Sequence, residues 1–242
     1  MKFIFVTLFP EQIEAAADHS MLKRAMDMGI LQMECVNPRD FSLDRHHSVD
    51  DAPFGGGVGM VLKPEPVVEA IRAARAKAPG APVIAMSPGG CTFKQSLAEE
   101  WAKNEMGLIF VCGHYEGFDE RIYHWVDLKI SIGDFVLTGG EMPALMIMDA
   151  VSRFVPGVLG KLASEEEDSF SSGLLEYPQY TRPVVFEGME VPEVLRSGNH
   201  KLIARWRRKQ ALKATYLLRP DMLPEELDKQ DKKLLEEIKE EL

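Results

Sequence analysis

The 242-residue sequence is poor in cysteine and contains no long apolar run, and each shortage excludes a class of protein. Its three cysteines, Cys35, Cys91 and Cys112, are odd in number and form no CxxC motif. This excludes a disulfide-stapled scaffold and predicts a reduced, cytoplasmic protein. The richest apolar stretch, residues 137–159, is interrupted by charged side chains, so we predict no membrane-spanning helix and no membrane partner.

Common nucleotide, metal and hydrolase motifs are also missing. The turn at residues 8–11 contains no glycine, which excludes a dinucleotide-binding GxGxxG turn after the first apolar run. Residues 55–63 are rich in glycine but lack the Gly-Lys-Ser/Thr ending of a P-loop. No HExxH, GxSxG or zinc-type Cys/His spacing occurs, and the adjacent pair His46-His47 is more typical of a polar loop than of a metal site.

Positive charge is scarce as well. The 28 Lys and Arg residues against 38 Asp and Glu residues give a formal net charge of −10. This balance excludes a protein that covers nucleic acid or anionic membrane through bulk charge alone. The exception is local, because residues 196–219 contain eight Lys and Arg side chains and no acid, and the acidic residues 221–242 follow directly.

Within that basic block, residues 201–218 have a helical pattern with Leu202, Ile203 and Trp206 as the predicted inward stripe. Four basic side chains share another face at three- and four-residue spacing: Lys201, Arg205, Arg208 and Lys209. Two interpretations stay open. The helix either contacts phosphates or is a solvated helix that its acidic neighbour neutralises.

Short apolar runs alternate with longer helical patterns over the first two-thirds of the sequence. Strands are predicted at residues 3–8, 30–36, 82–86, 108–112 and 126–132. Helices are predicted at residues 11–28, 64–78, 93–104 and 141–154. The first run is too short for a signal peptide, and the alternation of strands with helices predicts an α/β fold with a parallel sheet.

The composition and the apolar periodicity of the sequence change near residue 160. Residues 163–173 are acidic, rich in serine and without apolar periodicity, which is typical of a solvated linker. A turn-rich segment at 177–192 and a second helical pattern at 224–242 follow. We therefore predict an N-terminal domain at residues 1–160, a flexible linker at 161–172 and a mostly helical domain at 173–242.

Glycine is concentrated after three of the predicted strands. The segments concerned are residues 86–90 (MSPGG), 112–117 (CGHYEG) and 131–141 (SIGDFVLTGGE). Ligands bind outside the carboxyl ends of strands in open parallel sheets, and glycine lets the backbone approach a ligand closely. A single loop of this kind is typical of an ordinary tight turn, whereas three at successive strand ends favour a ligand pocket.

Six ordered segments of the sequence resemble the bacterial tRNA (guanine-N1)-methyltransferases of the SPOUT superfamily. They are residues 51–61 (DAPFGGGVGMV), 111–121 (VCGHYEGFDER), 131–141 (SIGDFVLTGGE), 167–170 (EDSF), 180–183 (YTRP) and 197–200 (SGNH). The resemblance spans nearly the whole chain and is most specific over residues 111–141. Small departures occur at Phe54, where an aromatic hydroxyl is common, and at residues 89–91, a variable stretch.

The resemblance implies a SPOUT-type parallel sheet with a C-terminal trefoil knot, a rare exception to the rule that chains do not thread themselves, followed by a small helical domain. It also implies S-adenosyl-L-methionine bound within the knot, a homodimer with shared active sites, and methylation of the tRNA guanine at position 37, 3′ of the anticodon. The implied cofactor-binding residues are Met86, Ser87, Pro88, Gly89, Gly113, Tyr115, Glu116, Ser131, Ile132, Gly133, Asp134, Phe135, Val136, Leu137, Gly139, Gly140 and Pro143. The implied tRNA-binding residues are Gly59, His200, Lys201, Arg205 and Arg208. The resemblance also implies that Glu116 either orients the cofactor or coordinates magnesium as a second cofactor.

Two residues receive chemical roles from the same resemblance. Guanine N1 carries a proton that must leave before its lone pair can attack a methyl group, and Asp168 in the EDSF segment is the implied general base. Arg153, a charged residue in an otherwise apolar helical pattern, is implied to stabilise the negative charge that develops on guanine O6. The linker around Asp168 is expected to close over the guanine when tRNA binds.

Three other functions stay open at this stage. A related knotted enzyme that methylates a ribose 2′-hydroxyl would not need the segment around Asp168. A non-catalytic RNA-binding protein would have little use for three intact glycine loops. An α/β domain unconnected with RNA is what the residues indicate without the resemblance.

Overall fold

The computed structural model describes residues 1–159 and 168–242 of the chain. Residues 160–167 lie outside this description, and with them much of the predicted linker and Glu167 of the EDSF segment. The chain divides into two compact units, Met1–Lys161 and Leu162–Leu242, and each is described by itself. Within the described ranges, no helix combines the length and the apolar character that a membrane span requires.

The N-terminal unit alternates strands with helices. Its strands are β1 (Lys2–Val6), β2 (Gln32–Val36), β3 (Asp50–Asp51), β4 (Val61–Leu62), β5 (Val83–Thr92), β6 (Leu108–Val111) and β7 (Leu128–Ser131). Its helices are α1 (Pro10–Ala17), α2 (Ser20–Asp27), α3 (Pro64–Lys77), α4 (Gln95–Ala102) and α5 (Glu141–Ser152). Five of the strands form one parallel sheet in the order β2-β1-β6-β5-β7, which confirms the predicted α/β fold and parallel sheet.

The central strands of this sheet are apolar on both faces. Phe3 and Phe110 pack on one face in a cluster that includes α5, whereas Ile4 and Ile109 pack on the other face in a cluster that includes α3. All four side chains are fully buried, and burial of each contributes about 1.5–3 kcal/mol. Strands covered on both faces carry continuous apolar runs, which is why the predicted positions of β1 and β6 are close to those observed.

The prediction of one continuous helix at residues 11–28 is wrong. Two helices, α1 and α2, occupy this range, and Ser20 has a φ of 53°. A continuous helix cannot contain this left-handed backbone conformation. The break lies at Asp18-His19-Ser20, whose side chains include short polar groups that compete with helical hydrogen bonds and are therefore poor helix formers.

Strand β5 is longer than predicted because it contains an irregularity. Met86 and Cys91 both pair with Ile130 of β7, so the residues between them bulge out of the ladder. At Gly90 the strand returns to β7 so closely that a Cβ atom would collide with the backbone nitrogen of Ile130. The glycine pair at 89–90 therefore serves a strand bulge rather than the end of a strand.

The described part of the C-terminal unit, residues 168–242, contains a short hairpin and three α-helices. These are β8 (Val185–Phe186), β9 (Met189–Glu190), α6 (Glu193–Arg196), α7 (His200–Leu218) and α8 (Lys229–Glu240). Helix α8 begins after the expected position 224 because Asp228 caps it, accepting a hydrogen bond from the Asp231 amide at 2.8 Å. A small core joins the two long helices through Leu174, Ala211, Leu212, Leu234 and Ile238.

The predicted inward stripe of α7 is wrong at Leu202, which is half exposed. The buried positions of this helix lie further along the chain, at Ala211, Leu212 and Thr215. The buried side chains of this helix are therefore confined to its second half and do not form a stripe along its whole length.

Candidate active site

A cavity of about 420 Å³ opens at the carboxyl edge of the parallel sheet. Its walls come from the bulge of β5, from the loop that follows β6 and from the loop between β7 and α5. Among the residues implied for cofactor binding, all except Gly89 and Asp134 line it. Gly89 lies in the β5 bulge and Asp134 on the loop after β7, and both are exposed to solvent.

Several lining residues were not among the implied binding residues. They are His114, Gly117, Phe118, Glu120, Tyr123, Ile130 and Thr138. Most of them lie within or next to the glycine loops in the sequence, so their position in the chain could have identified them as lining residues. Glu120 and Tyr123 belong instead to a 3-10 turn, Glu120–Trp125, and only the fold brings this turn to the cavity.

Main-chain atoms form part of the cavity wall at Gly113 and Gly140. The Gly140 amide donates a hydrogen bond to the carbonyl of Gly113 at 2.8 Å, which joins the loops that follow β6 and β7. A Cβ atom on Gly140 would lie 2.7 Å from Cα of Cys112 and 2.8 Å from the amide nitrogen of Gly113. Because φ of Gly140 is −85°, the position requires glycine for space and not for backbone conformation.

A buried carboxylate, that of Glu141, lies next to the glycines of this wall. Glu141, the first residue of α5, is 2% exposed, and its Oε1 accepts a hydrogen bond from Thr7 Oγ1 at 2.8 Å. The N-terminal end of a helix favours such a negative charge. Burial raises the pKa of the neighbouring Cys112 thiol well above its usual value, and the Glu141 charge acts in the same direction. Burial also raises the pKa of Cys35 to about 12, so both thiols stay neutral.

The His114 ring lies beside Gly139 in the same wall. A Cβ atom on Gly139 would collide with Glu141 and would lie 2.8 Å from His114 Nδ1. The ring contacts Phe9 and Tyr115 with centroid distances of 4.9 Å. Its buried Nδ1 has no hydrogen-bond partner among the described residues, so a polar ligand atom in the cavity would satisfy it.

The rim of the cavity exposes apolar side chains. Tyr115, Phe135, Val136 and Leu137 are large hydrophobic residues that line the cavity and remain open to solvent. Tyr115 also has a φ of 59°, a conformation that side-chain-bearing residues seldom adopt. Contiguous exposed apolar surface of this kind is typical of a ligand site.

Two carboxylates, Glu116 and Glu120, complete the lining. Glu116 is held against the loop that carries Gly59: its amide donates to the carbonyl of Met60 at 3.0 Å, and a Cβ atom on Gly59 would collide with its carboxylate. Within the described part of the chain, no group of three or more His, Cys, Asp or Glu side chains could hold a metal ion. The implied magnesium site at Glu116 stays a prediction.

Arg153 and Asp168 lie in different units. Arg153 follows the last residue of α5 and is half-buried, and its amide donates to the carbonyl of Asp149 at 3.2 Å. The sequence placed it on a helix face, whereas the structure places it at the helix end. A guanidinium at this position gains from the negative end of the helix dipole.

Asp168 begins a tight turn that the C-terminal unit holds in place. The Glu176 amide donates to Ser169 Oγ at 2.9 Å, and the Leu175 amide donates to Thr215 Oγ1 on α7, also at 2.9 Å. Leu174, which directly precedes these two residues in the chain, is fully buried in the core of this unit. The described part of the EDSF segment is thereby anchored to the helices of its own unit.

The basic face of α7 is largely paired with acids of α8. Arg205 and Lys209 both contact Glu237, with nitrogen–oxygen distances of 2.6 and 3.1 Å, and their hydrogen bonds lower the pKa of that carboxyl. Arg208 Nε donates to Asp231 Oδ1 at 3.0 Å, and Asp231 is 5% exposed. These pairs favour the neutralised-helix interpretation for Arg205 and Arg208. Lys201 forms no ion pair with another described residue.

We expect the substitution Arg208→Ala to lower the free energy of unfolding by about 1–3 kcal/mol, because it leaves a buried carboxylate without its charged partner. Urea denaturation followed by circular dichroism measures the change. Lys201→Ala, on the exposed start of the same helix, is the matched control and should stay within about 0.5 kcal/mol of the wild type. An Arg208→Ala protein of unchanged stability would favour the phosphate-contacting role instead.

Comparison with known proteins finds relatives that match nearly the whole chain. The family model described as tRNA (Guanine-1)-methyltransferase TrmD matches residues 1–225. A protein of Dehalococcoides mccartyi is 56% identical over 241 residues, covering 98% of this chain and 97% of the relative. Proteins of Dictyoglomus turgidum and Lactobacillus helveticus are each 53% identical over 243 residues, covering all of this chain and 98% and 100% of the relatives. All three are named tRNA (guanine-N(1)-)-methyltransferase.

Proposed function

The chain belongs to the tRNA (guanine-1)-methyltransferase family, and on that premise we propose that it methylates N1 of the guanine at position 37 of tRNA, with S-adenosyl-L-methionine as the methyl donor. Membership makes it an enzyme that methylates guanine N1 in tRNA. The donor, the position in the tRNA and the residue roles are the proposal. The observation that carries it is the glycine-walled cavity at the carboxyl edge of the sheet.

The cavity suits S-adenosyl-L-methionine in both size and chemistry. Its volume of about 420 Å³ lies within the usual range for sites that bind a ligand of this size. Backbone amides and carbonyls along residues 131–140 and at Gly113 offer hydrogen bonds to the adenosine part, and Leu137 and Pro143 offer apolar contact to its ring. Glu116 supplies negative charge for the cationic part. When bound, the donor supplies a methyl group on a positively charged sulfur.

The residues of this chain then have to activate the guanine. Asp168 accepts the proton from N1, which frees the N1 lone pair to form the new carbon–nitrogen bond. The Arg153 guanidinium stabilises the negative charge that shifts toward O6 as the proton leaves. The walls of the cavity hold the two reactants in line, which supplies much of the rate enhancement in a displacement of this type.

The proposal includes a trefoil knot formed by the loops around this cavity. The contact of Gly140 with Gly113 and the bridge between His114 and Gly139 bring the loop after β7 tightly against the loop after β6. The return of β5 against β7 at Gly90 tightens the same region. A threaded chain, an arrangement that is rare in proteins, requires such close backbone contacts between these loops.

We further propose a homodimer in which the cavity of one subunit works with Asp168 of the other. Helix α5 exposes Met142 and Met146, four residues apart on one face, whereas most of its other side chains are buried. Exposed apolar side chains at this spacing are typical of a helix that packs against a partner. Because tRNA is the substrate, we place the enzyme in the cytoplasm.

Methyl transfer from labelled S-adenosyl-L-methionine to two unmodified tRNA transcripts tests the proposed function. The transcripts are identical except for guanine or adenine at position 37. We expect label in the guanine transcript only, recovered as 1-methylguanosine after digestion. Label in both transcripts on ribose would instead support a 2′-hydroxyl methyltransferase, and absence of label in both would contradict the proposal.

A further inference from the structure

A glycine-rich hairpin loop projects from the N-terminal unit and carries side chains that the fold does not use. Strands β3 and β4 pair antiparallel, with Asp50 opposite Leu62 and Asp51 opposite Val61, and residues 52–60 form the loop between them. Phe54 is fully exposed and Val58 is 93% exposed. A phenylalanine at the tip of a loop with no packing partner costs hydration free energy unless a ligand covers it.

The backbone conformation of this loop requires glycine even where its tip is open to solvent. Gly55, Gly56, Gly57 and Gly59 have φ values of +87°, +77°, +135° and +91°, conformations that other residues rarely adopt. A Cβ atom on Gly55 or Gly56 would meet no atom within 4 Å. These two glycines are therefore needed for the shape of the loop and not for close packing, and the space around them is open.

The base of the loop is tied to the wall of the cavity. The Glu116 amide donates to the carbonyl of Met60 and the Leu62 amide donates to the carbonyl of Gly117, both at 3.0 Å. Glu116 and Gly117 both line the cavity. A substrate that extends beyond the cavity mouth on this side therefore meets the loop that carries Phe54.

We propose that Phe54 stacks on an unpaired nucleobase of the tRNA anticodon loop next to the target guanine and so positions that guanine at the cavity. The inference rests on the proposed function, because it takes tRNA as the substrate. Proteins that recognise single-stranded RNA commonly stack splayed bases on aromatic side chains, and an exposed phenyl ring offers such a face. Phe54 is a positioning residue in this account, because it touches the substrate away from the reacting atoms.

Steady-state kinetics of Phe54→Ala and Phe54→Trp test the proposal with the full-length protein. We expect Phe54→Ala to raise KM for tRNA about tenfold or more, with kcat and the Kd for S-adenosyl-L-methionine unchanged. Phe54→Trp keeps an aromatic face and should stay near the wild type. Met106→Ala is the matched control, because Met106 is also an exposed apolar residue but precedes β6, at the opposite edge of the sheet from the cavity.

A fluorescent base adds a readout that a structural role would not affect. An anticodon stem–loop with 2-aminopurine next to the target guanine should lose fluorescence on binding the wild type, since stacking quenches it, and should keep its fluorescence with Phe54→Ala. An unchanged KM for tRNA in Phe54→Ala would overturn the proposal. So would a change of molecular mass by light scattering in that variant, which would assign the loop to contact with a second copy of the chain.

The same stem–loop separates failure of this inference from failure of the proposed function. If the wild type methylates no tRNA, the proposed function fails, and the Kd for the unmodified stem–loop decides the inference alone. A Kd about tenfold weaker in Phe54→Ala than in the wild type would then support stacking by Phe54. Equal Kd values in the two proteins would overturn it.

Discussion

Replacement of Asp168 by alanine is expected to slow methyl transfer by about 100- to 10,000-fold while leaving the affinity for S-adenosyl-L-methionine unchanged. General-base catalysis contributes factors of this size. The cavity proposed for the donor belongs to the N-terminal unit, whereas Asp168 starts a turn that the C-terminal unit anchors through Leu174 and Leu175. Single-turnover rates measure the chemical step, and isothermal titration calorimetry measures donor binding.

The variant Asp168→Asn is the control for a purely structural role. Asparagine preserves the size and most hydrogen bonds of the side chain but cannot accept the N1 proton at neutral pH. Loss of activity in both variants supports the base, whereas near-normal rates in Asp168→Asn would reduce Asp168 to a positioning group. A fall in donor affinity that parallels the fall in rate would argue against the assigned role.

The Asp168→Ala variant also tests whether active sites are shared between subunits. Asp168→Ala and Arg153→Ala are each expected to be inactive alone. Co-expressed in equal amounts with different tags, they should recover about a quarter of wild-type activity, since half of the dimers are mixed and each mixed dimer has one intact site of two. No recovery in the purified mixed dimer would show that each site is built from a single chain.

Gly140→Ala is expected to weaken donor binding by more than about 100-fold. The added methyl group would lie 2.7 Å from Cα of Cys112 and 2.8 Å from the amide nitrogen of Gly113, so two backbone segments would have to separate. Separation breaks the hydrogen bond from Gly140 to Gly113 and distorts the cavity wall. Calorimetric titration with S-adenosyl-L-methionine measures the loss, and the melting temperature reports whether the variant is folded.

Gly89→Ala compares Gly140 with a glycine that the family resemblance also implies for donor binding. Its added Cβ would lie 3.9 Å from its nearest neighbour, Ser87 Oγ, and the residue does not line the cavity. Donor affinity close to that of the wild type is expected. If Gly140→Ala fails to fold, Leu137→Ala still tests the site, because it shortens an exposed rim side chain and should weaken binding about tenfold with the melting temperature unchanged. Normal donor affinity in Gly140→Ala would contradict the cavity as the donor site.

Sequence patterns were sufficient to predict those elements of the fold whose position depends on a single physical rule. Strands β1 and β6 are buried on both faces and therefore carry unbroken apolar runs, which fixes their type and approximate limits. The bulge in β5 was missed, since it depends on contact with a distant segment at Ile130 of β7. The break between α1 and α2 was missed although its cause is local, in the short polar side chains before and at Ser20. The two-residue strands β3 and β4 are too short for any periodicity to reveal.

The candidate site also has parts that the sequence predicts and parts that it does not. Its glycine loops could be predicted because close backbone approach requires glycine, and glycine near strand ends is visible in the sequence. The ion pairs of α7 could not be predicted, because the partners of Arg205 and Arg208 lie more than twenty residues away on α8 and helical spacing alone does not choose between phosphate and carboxylate. Glu120 and Tyr123 were missed for a similar reason, since a 3-10 turn and not a strand end brings them to the cavity.

The main-chain construction of the cavity wall limits how this enzyme can become resistant to inhibitors. At Gly140, and likewise at Gly139, a side chain collides with neighbouring atoms, so substitutions there damage the site itself. If the cavity binds the methyl donor as proposed, a compound that binds chiefly to the backbone around Gly113 and Gly140 leaves few single mutations that exclude it and still admit the donor. Resistance would have to arise at the exposed rim, at residues such as Val136 and Leu137, which an inhibitor can be designed to avoid.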